Sequence, residues 1–402
     1  MKGDETGAAN APPRAGGAAK PGRDLRLDFF RGVALIFIFL NHIPQNVAAW
    51  VSNRNYGFSD ATEIFVFVSG YSAVLAYGAI LNRQGATMAT LRILRRTWQV
   101  YTAHILLFVV FVAQIAWIAE RYNNPLFTDE MRISPFLDEP HVVLIQVLLL
   151  RSKPTNMDVL PLYVILLLFF PLVLVALRRA RTATLLASFA LYVAALALRL
   201  NLGAYPSGEW FFNPLAWQFL FIFGAWCGSF HGQAGPWRAI PSRLALAAAI
   251  AYLVFSLWVV CTWNFPQAFA AVPHWLAVAI YPINKTYLDP LRLLHFVAVA
   301  YVTVMLVRPD AAFLRARPVQ PVLRCGQHSL EIFCLGIFLS FLGHFVLVEV
   351  DGSALSDIAV SAAGVAIMIA VAYALTWYDR AERRPPTPAP TLGRPTTTDA
   401  RT

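Results

Sequence analysis

Charged residues are scarce in this sequence. Of its 402 residues only 13% are Asp, Glu, Lys or Arg, whereas 58% are hydrophobic. Soluble domains average about 25% charged residues, and a soluble fold cannot bury this much apolar surface. The composition therefore excludes a soluble globular domain. It predicts an all-α, multi-pass membrane protein, because the apolar runs are long enough for lipid-spanning helices and a helix satisfies its own backbone groups.

Cysteine is also scarce, and its spacing is uninformative. The four cysteines, Cys227, Cys261, Cys325 and Cys334, lie in or beside apolar segments without CxxC spacing. Neither a zinc site nor a disulfide framework follows from such a pattern. We therefore expect no metal and interpret the cysteines as small buried hydrophobic residues.

The basic residues indicate topology rather than nucleic-acid binding. The formal net charge is +10, but Lys and Arg occur in short runs between apolar segments, as in the loops of membrane proteins. Residues 1–22 contain no apolar run, so they are not a cleavable signal peptide. We predict that residues 1–22 and 381–402 are disordered cytoplasmic tails around one transmembrane domain, residues 23–380.

A bundle of about ten transmembrane helices is predicted. A spanning helix needs about 20 mostly apolar residues. The segments that meet this requirement are residues 29–50, 60–81, 98–119, 158–177, 183–200, 212–230, 244–263, 286–307, 327–349 and 355–378. Basic clusters mark every second connection, which predicts cytoplasmic termini. Two shorter apolar stretches, 141–150 and 268–283, are predicted to be interfacial helices on the outer face.

The first predicted span contains an arginine and a histidine on one face. Arg31 and His42 are eleven residues apart, which returns the helix direction to within roughly 20° and separates them by about 16 Å. Ionisable residues at membrane depth are candidates for function. The alternative is that Arg31 anchors the helix at the interface and His42 forms a helix-packing hydrogen bond.

Two carboxylates are predicted to lie level with His42. Asp60 and Glu63 are one turn apart at the outer end of the second predicted span. A histidine beside a carboxylate can accept a proton from an alcohol, so these three residues are candidate catalytic groups. The alternative is that Asp60 only caps its helix and Glu63 faces water.

Further polar residues lie near the ends of later spans. Those near outer ends are candidates for substrate binding: Asp158, Trp217, Gln218, Lys285, Arg292 and His295. His328 and Glu331 lie at the cytoplasmic start of the ninth span, beside a basic loop. They are candidates for holding a phosphate-bearing ligand, although a structural ion pair explains them almost as well.

Several motifs resemble those of a known family. RDLRLDFFRGVALIFIFLNHIP and NYGFSDATEIFVFVSGYSA are similar to the opening helical hairpin of the OpgC-type glucan succinyltransferases, within a broader superfamily of transmembrane acyltransferases. TNMDVLPLY, FNPLAWQF, PLRLLH and GQHSLEIF resemble later signatures of that family. The resemblance runs from Arg23 to Trp377.

This resemblance implies O-acyl transfer in a bacterial inner membrane. The donor would be a cytoplasmic acyl-CoA, with succinyl-CoA favoured, and the acceptor a hydroxyl of a periplasmic glucan or other glycan. By the same resemblance His42 is the catalytic histidine, and Arg31 helps to position it or the donor; we place Arg31 and Arg26 among the residues that bind the donor. Asn41 stands where relatives often have Asp, which leaves Glu63, then Asp60, as the carboxylate partner of His42.

Two other function classes remain open from sequence. A transporter or flippase for a glycan or anionic metabolite also buries charges in the membrane. A glycan-binding or assembly subunit without catalysis is the other class. The membrane lipids are expected partners in every case, and nucleic acid in none.

Overall fold

A computed structural model describes residues 24–233, 235, 242–265, 267 and 272–382. Within these ranges the chain is helical and has no β-strand, only an isolated bridge between Gly203 and Glu209. The helices are α1 (Leu25–Asn41), α2 (Ala61–Tyr122), α3 (Leu126–Glu130), α4 (Ser134–Asp138), α5 (Pro140–Leu148), α6 (Val159–Arg179), α7 (Arg181–Ala197), α8 (Pro214–Gly228), α9 (Ser242–Asn264), α10 (His274–Ile280), α11 (Pro290–Leu306), α12 (Gln320–Gln327), α13 (Ser329–Glu349) and α14 (Ala354–Glu382).

The all-α class is confirmed, but fewer helices than expected have the length of a membrane span. In the described ranges five helices, rather than ten, are long and apolar enough to cross a membrane: α2, α6, α9, α13 and α14. Helix α2 covers two of the predicted spans. Four others fall on α1, α7, α8 and α11, which have only 15 to 17 residues. The predicted tails lie outside the described residues, apart from 381 and 382, which complete α14.

The first predicted span ends about nine residues early. Helix α1 ends at Asn41, and residues 47–51 form a 3-10 turn instead of continuing the helix. Pro44 explains the break, since proline lacks an amide N–H and disfavours helical geometry in the residue before it. Gln45 then adopts a left-handed conformation, with φ 56°. His42 therefore caps α1 and lies where the chain leaves the bundle.

Helix α2 is 62 residues long and is interrupted at one position. Gly85 has φ 83° and ψ 176°, a conformation that only glycine adopts readily. The charged segment that follows, including Arg92 and Arg96, is helical rather than a loop. Hydropathy detects apolar windows only, so the sequence pattern predicted two spans and a loop here.

Glycines on both helices allow α2 and α8 to approach closely. A Cβ at Gly70 of α2 would overlap the carbonyl oxygen of Phe221 in α8, and one at Gly224 of α8 would overlap that of Phe67 in α2. Small residues at helix crossings are typical of membrane bundles, because they let backbones pack against each other. This contact fixes α8 against the half of α2 that carries Asp60 and Glu63.

The bundle has two chemically different ends. We call the end containing His42 and Asp60 the histidine end; there the amide of Val47 donates to Asp357 at 2.6 Å. We call the opposite end, containing Arg26 and Arg324, the arginine end; there Arg26 donates to the carbonyl of Val307 at 3.2 Å. The predicted interfacial helices coincide with α5 and, within the described part of 268–283, with α10.

Candidate functional site

Four charged side chains meet at the histidine end. The carboxylate of Asp60 accepts from Lys285 Nζ at 2.6 Å and from Arg292 Nη2 at 3.1 Å. The same Nη2 lies 2.6 Å from Glu63 Oε1, and Arg292 Nε donates to that oxygen at 2.9 Å. Two cations and two carboxylates thus form one network, which we call the four-charge cluster. Its formal charge is zero.

Local sequence explains why both carboxylates point into this cluster. Asp60 Oδ1 accepts from the amide of Thr62 at 2.8 Å, and Glu63 Oε2 accepts from the amide of Asp60 at 2.9 Å. This reciprocal pair is a capping box, which satisfies amides at a helix start. Asp60 therefore does cap α2, as one interpretation held, but it also carries two ion pairs. The interpretation that Glu63 faces water is wrong, because its side chain is 0% exposed.

His42 lies within electrostatic range of the cluster but is not bonded to it. The charges that act on its imidazole are those of Lys285, Asp60 and Arg54. Its Nδ1 is buried and has no hydrogen-bond partner among the described residues. The two carboxylates expected to hold the ring are engaged elsewhere: Glu63 is bound to Arg292, and Asp60 is bound to Arg292 and Lys285. No carboxylate among the described residues therefore holds the ring through Nδ1.

Asn41, the residue before His42, is committed to the adjoining loop. Its Oδ1 accepts from the hydroxyl of Ser52 at 2.8 Å, and its backbone carbonyl accepts from Arg54 at 3.3 Å. These bonds bring Arg54, which the sequence did not single out, to the same side as His42. They also stabilise the turn by which the chain leaves α1.

The other histidine of the predicted site is held by neighbouring loop residues. His295 Nδ1 lies 2.7 Å from the hydroxyl of Ser59 and accepts from the Ser59 amide at 3.2 Å. Its ring packs directly on Gly57, where a Cβ would overlap it. His295 is 3% exposed, so its role is to hold the loop before Asp60. It positions the four-charge cluster from one side.

Trp217 and Gln218 are buried and use their polar groups within the protein. Trp217 Nε1 donates to the carbonyl of Lys285 at 3.1 Å. Gln218 Oε1 accepts from the Ser188 hydroxyl at 2.6 Å, and its Nε2 donates to the Ser188 carbonyl at 2.9 Å. Direct substrate contact, as predicted for both residues, is not supported by this geometry. Trp217 instead fixes the backbone that presents Lys285.

A second polar region lies beside the cluster. Asp158 precedes α6 and caps it without a side-chain hydrogen bond; the charges of Lys153 and Lys285 act on it. Lys153 packs over the ring of Trp210, 3.8 Å from its centroid. Burial lowers the pKa of Lys153 to about 8, although Asp158 opposes the shift. Lys285 therefore links the region of Asp158 electrostatically with that of His42.

Arg31 lines a cavity within the bundle. Its Nη2 donates to the hydroxyl of Ser72 in α2 at 2.6 Å. The cavity has a volume of about 140 Å³, and Arg96, Ser69 and Ser329 also line it. No Asp or Glu is among its lining residues. Arg31 is therefore part of an arginine-lined space rather than only an interfacial anchor. We call this space the inner cavity.

The remaining predicted donor-side residues lie at the arginine end. Arg26 is bound to Asp24 at 2.9 Å and to the carbonyl of Val307. His328 Nε2 lies 3.0 Å from the hydroxyl of Thr376 in α14. Glu331 is exposed and forms no ion pair with His328 in the described part of the chain. The structural ion pair considered for these two residues is therefore absent there.

The family comparison agrees with the motifs. Residues 23–380 match the family described as OpgC protein. The chain belongs to the OpgC family. Comparison with curated proteins gives no match. Membership of the OpgC family indicates a glucan-modifying enzyme of the transferase class, and the apolar helices fit a membrane protein. In the residues described for this OpgC-family protein, no group of three or more His, Cys, Asp and Glu side chains is arranged to hold a metal.

Three residues of the OpgC-family site escaped sequence reasoning. Ser59 binds His295, Arg54 acts on His42, and Arg96 joins Arg31 in the inner cavity. Ser59 and Arg54 lie in the segment 52–60, whose many polar residues were a signal of a structured loop. Arg96 gave no such signal, because it was one of several arginines assigned to a connection.

Proposed function

We propose that this protein is a membrane O-acyltransferase of the bacterial inner membrane. It transfers an acyl group, succinyl in the favoured case, from cytoplasmic acyl-CoA to a hydroxyl of a periplasmic glucan or other glycan. The observation that carries the proposal is His42, a buried imidazole with an uncommitted Nδ1 beside an ordered charge cluster. OpgC family membership supports the glucan as the class of acceptor.

His42 acts as the general base. A sugar hydroxyl is a weak nucleophile until its proton has an acceptor, and histidine is suited to this near neutral pH. The hydroxyl oxygen bonds to the thioester carbon, the carbon–sulfur bond breaks, and the proton passes through the imidazole to the departing CoA thiolate. The products are the glycan ester and free CoA.

The four-charge cluster positions the outer part of the site. Glu63 and Asp60 act through Arg292 and Lys285 rather than by bonding the imidazole. Lys285 faces the acceptor side together with Asp158, since its charge acts on Asp158 and on His42. Three buried residues support the cluster through hydrogen bonds within the protein: Trp217 to the Lys285 carbonyl, Gln218 to the Ser188 carbonyl and His295 to Ser59.

The donor approaches from the arginine end. The inner cavity, with Arg31 and Arg96, receives the acyl-bearing arm, and Arg31 is about 16 Å along α1 from His42. Arg26 stabilises the start of α1 through Asp24 and Val307. His328 and Glu331 lie where the donor enters, at the start of α13.

The test is a transfer assay with protein reconstituted in lipid nanodiscs, succinyl-CoA and glucan. Wild type should release CoA and add succinyl mass to the glucan. His42→Asn should lower kcat by about 10²- to 10⁴-fold, the usual contribution of a general base. His141→Gln, an exposed histidine on α5, is the matched control and should react normally. CoA release by His42→Asn at the wild-type rate would refute the mechanism; transport of unmodified glycan without CoA would identify a transporter instead.

A further inference from the structure

A second arginine-lined space lies at the arginine end, between α12 and α14. It is a groove of about 430 Å³ lined by Arg324, Tyr373, Ala374, Thr376, Trp377 and Arg380. Tyr373, Trp377 and Arg380 are four and three residues apart, so they share one face of α14. We call this space the outer groove. Nothing in the proposed chemistry at His42 uses it.

The lining of the outer groove is suited to a phosphate ester with an aromatic group. Two guanidinium groups line it and no Asp or Glu does. Arginine binds phosphate with paired N–H donors, and the buried Nε of Arg324 has no hydrogen-bond partner among the described residues. Trp377 is 71% exposed and offers a surface on which a nucleobase stacks.

The outer groove and the inner cavity are neighbours along the chain. Ser329 lines the inner cavity. The preceding residue, His328, is hydrogen-bonded to Thr376 of the outer groove at 3.0 Å. The contact of His328 with Thr376 therefore joins a residue of the groove to the neighbour of a residue of the cavity that contains Arg31, and α1 leads from Arg31 to His42.

Size separates the roles of the two spaces. Small-molecule sites usually measure about 300–1,000 Å³; the outer groove, at 430 Å³, is within this range, and the inner cavity, at 140 Å³, is below it. The cavity thus accepts a narrow chain and the groove accepts a larger head group.

We propose that the outer groove binds the phosphorylated nucleotide end of the acyl-CoA donor, with Arg324 and Arg380 on phosphate and Trp377 on adenine. This inference rests on the proposed acyltransferase function and names the site that holds its donor. An anionic phospholipid head group offers the same phosphate chemistry at a membrane surface. The experiment must therefore separate a nucleotide from a lipid.

The probe is adenosine 3′,5′-bisphosphate, which carries the nucleotide end of CoA without thiol or acyl group. Its binding to the full chain is measured in phosphatidylcholine nanodiscs and again in discs that contain phosphatidylglycerol. Arg324→Gln and Arg380→Gln should each weaken binding about tenfold or more, as expected for a lost charged hydrogen bond. Arg315→Gln, an exposed arginine of the same end that does not line the groove, should bind as wild type.

Three results would overturn the inference. One is absence of bisphosphate binding to wild type in phosphatidylcholine. Another is equal binding by wild type and Arg380→Gln, an exposed position whose substitution leaves the fold intact. The third is loss of retained phosphatidylglycerol in Arg380→Gln without loss of nucleotide, which would assign the groove to lipid. Failure of the proposed function is separate: His42→Asn would then transfer succinyl normally, whatever the groove binds.

Discussion

Removing Arg292 should destabilise the protein more than removing Lys285, the other cation of the four-charge cluster. Arg292 neutralises both Asp60 and Glu63. In Arg292→Gln the cluster keeps two carboxylates and one cation, and Glu63, which is 0% exposed, loses its only ion pair among the described residues. Breaking a buried pair by deleting one partner costs about 3–5 kcal/mol. Lys285→Gln should cost less, because Arg292 still pairs with Asp60 and the side chain of Lys285 is 26% exposed.

The double variant provides the decisive comparison. In Arg292→Gln/Glu63→Gln, Lys285 and Asp60 remain as a balanced pair, so the double variant should be more stable than Arg292→Gln alone. Coupling energies of directly bonded residues are about 0.5–3 kcal/mol. Thermal unfolding of wild type, Arg292→Gln, Glu63→Gln and the double variant in the same lipid nanodiscs measures this cycle, with Lys285→Gln measured alongside. Additive losses, or equal losses in Arg292→Gln and Lys285→Gln, would refute the view that charge balance holds the cluster together.

Substitutions at three glycines give further predictions. Gly70→Ala should lower the thermal unfolding midpoint, because its Cβ would overlap a carbonyl of α8. The control, Gly78→Ala, has open space around it and should be neutral or stabilising by up to about 1 kcal/mol. Equal midpoints for the two variants would argue against a close crossing of α2 and α8. Gly57→Ala should displace His295 from Ser59 and thereby lower kcat. The KM for the acyl donor should change little, because the substitution does not affect the arginine end. An unchanged kcat would exclude a positioning role for His295.

Sequence patterns were informative where a local rule applied. The spacing of Asp60 and Glu63 predicted two carboxylates at one helix end. The structure has them there as a capping box, which depends only on residues three apart in sequence. Their pairing with Arg292 joins positions more than 200 residues apart, which no single-sequence pattern encodes. The early end of α1 was predictable from Pro44, but hydropathy alone continued the span.

The distribution of cations places donor binding and chemistry at different ends of the bundle in the proposed reaction. At the arginine end, Arg324 and Arg380 line a groove that has no Asp or Glu in its lining, and no Asp or Glu lines the inner cavity either. Near His42, by contrast, Lys285 and Arg292 are bound to carboxylates. The phosphates of the proposed donor are therefore attracted more strongly to the arginine end than to the surroundings of His42. In the proposed reaction the phosphates, which carry most of the donor's negative charge, stay in the groove while the thioester with its acyl chain reaches the imidazole, so binding and chemistry are separated along α1.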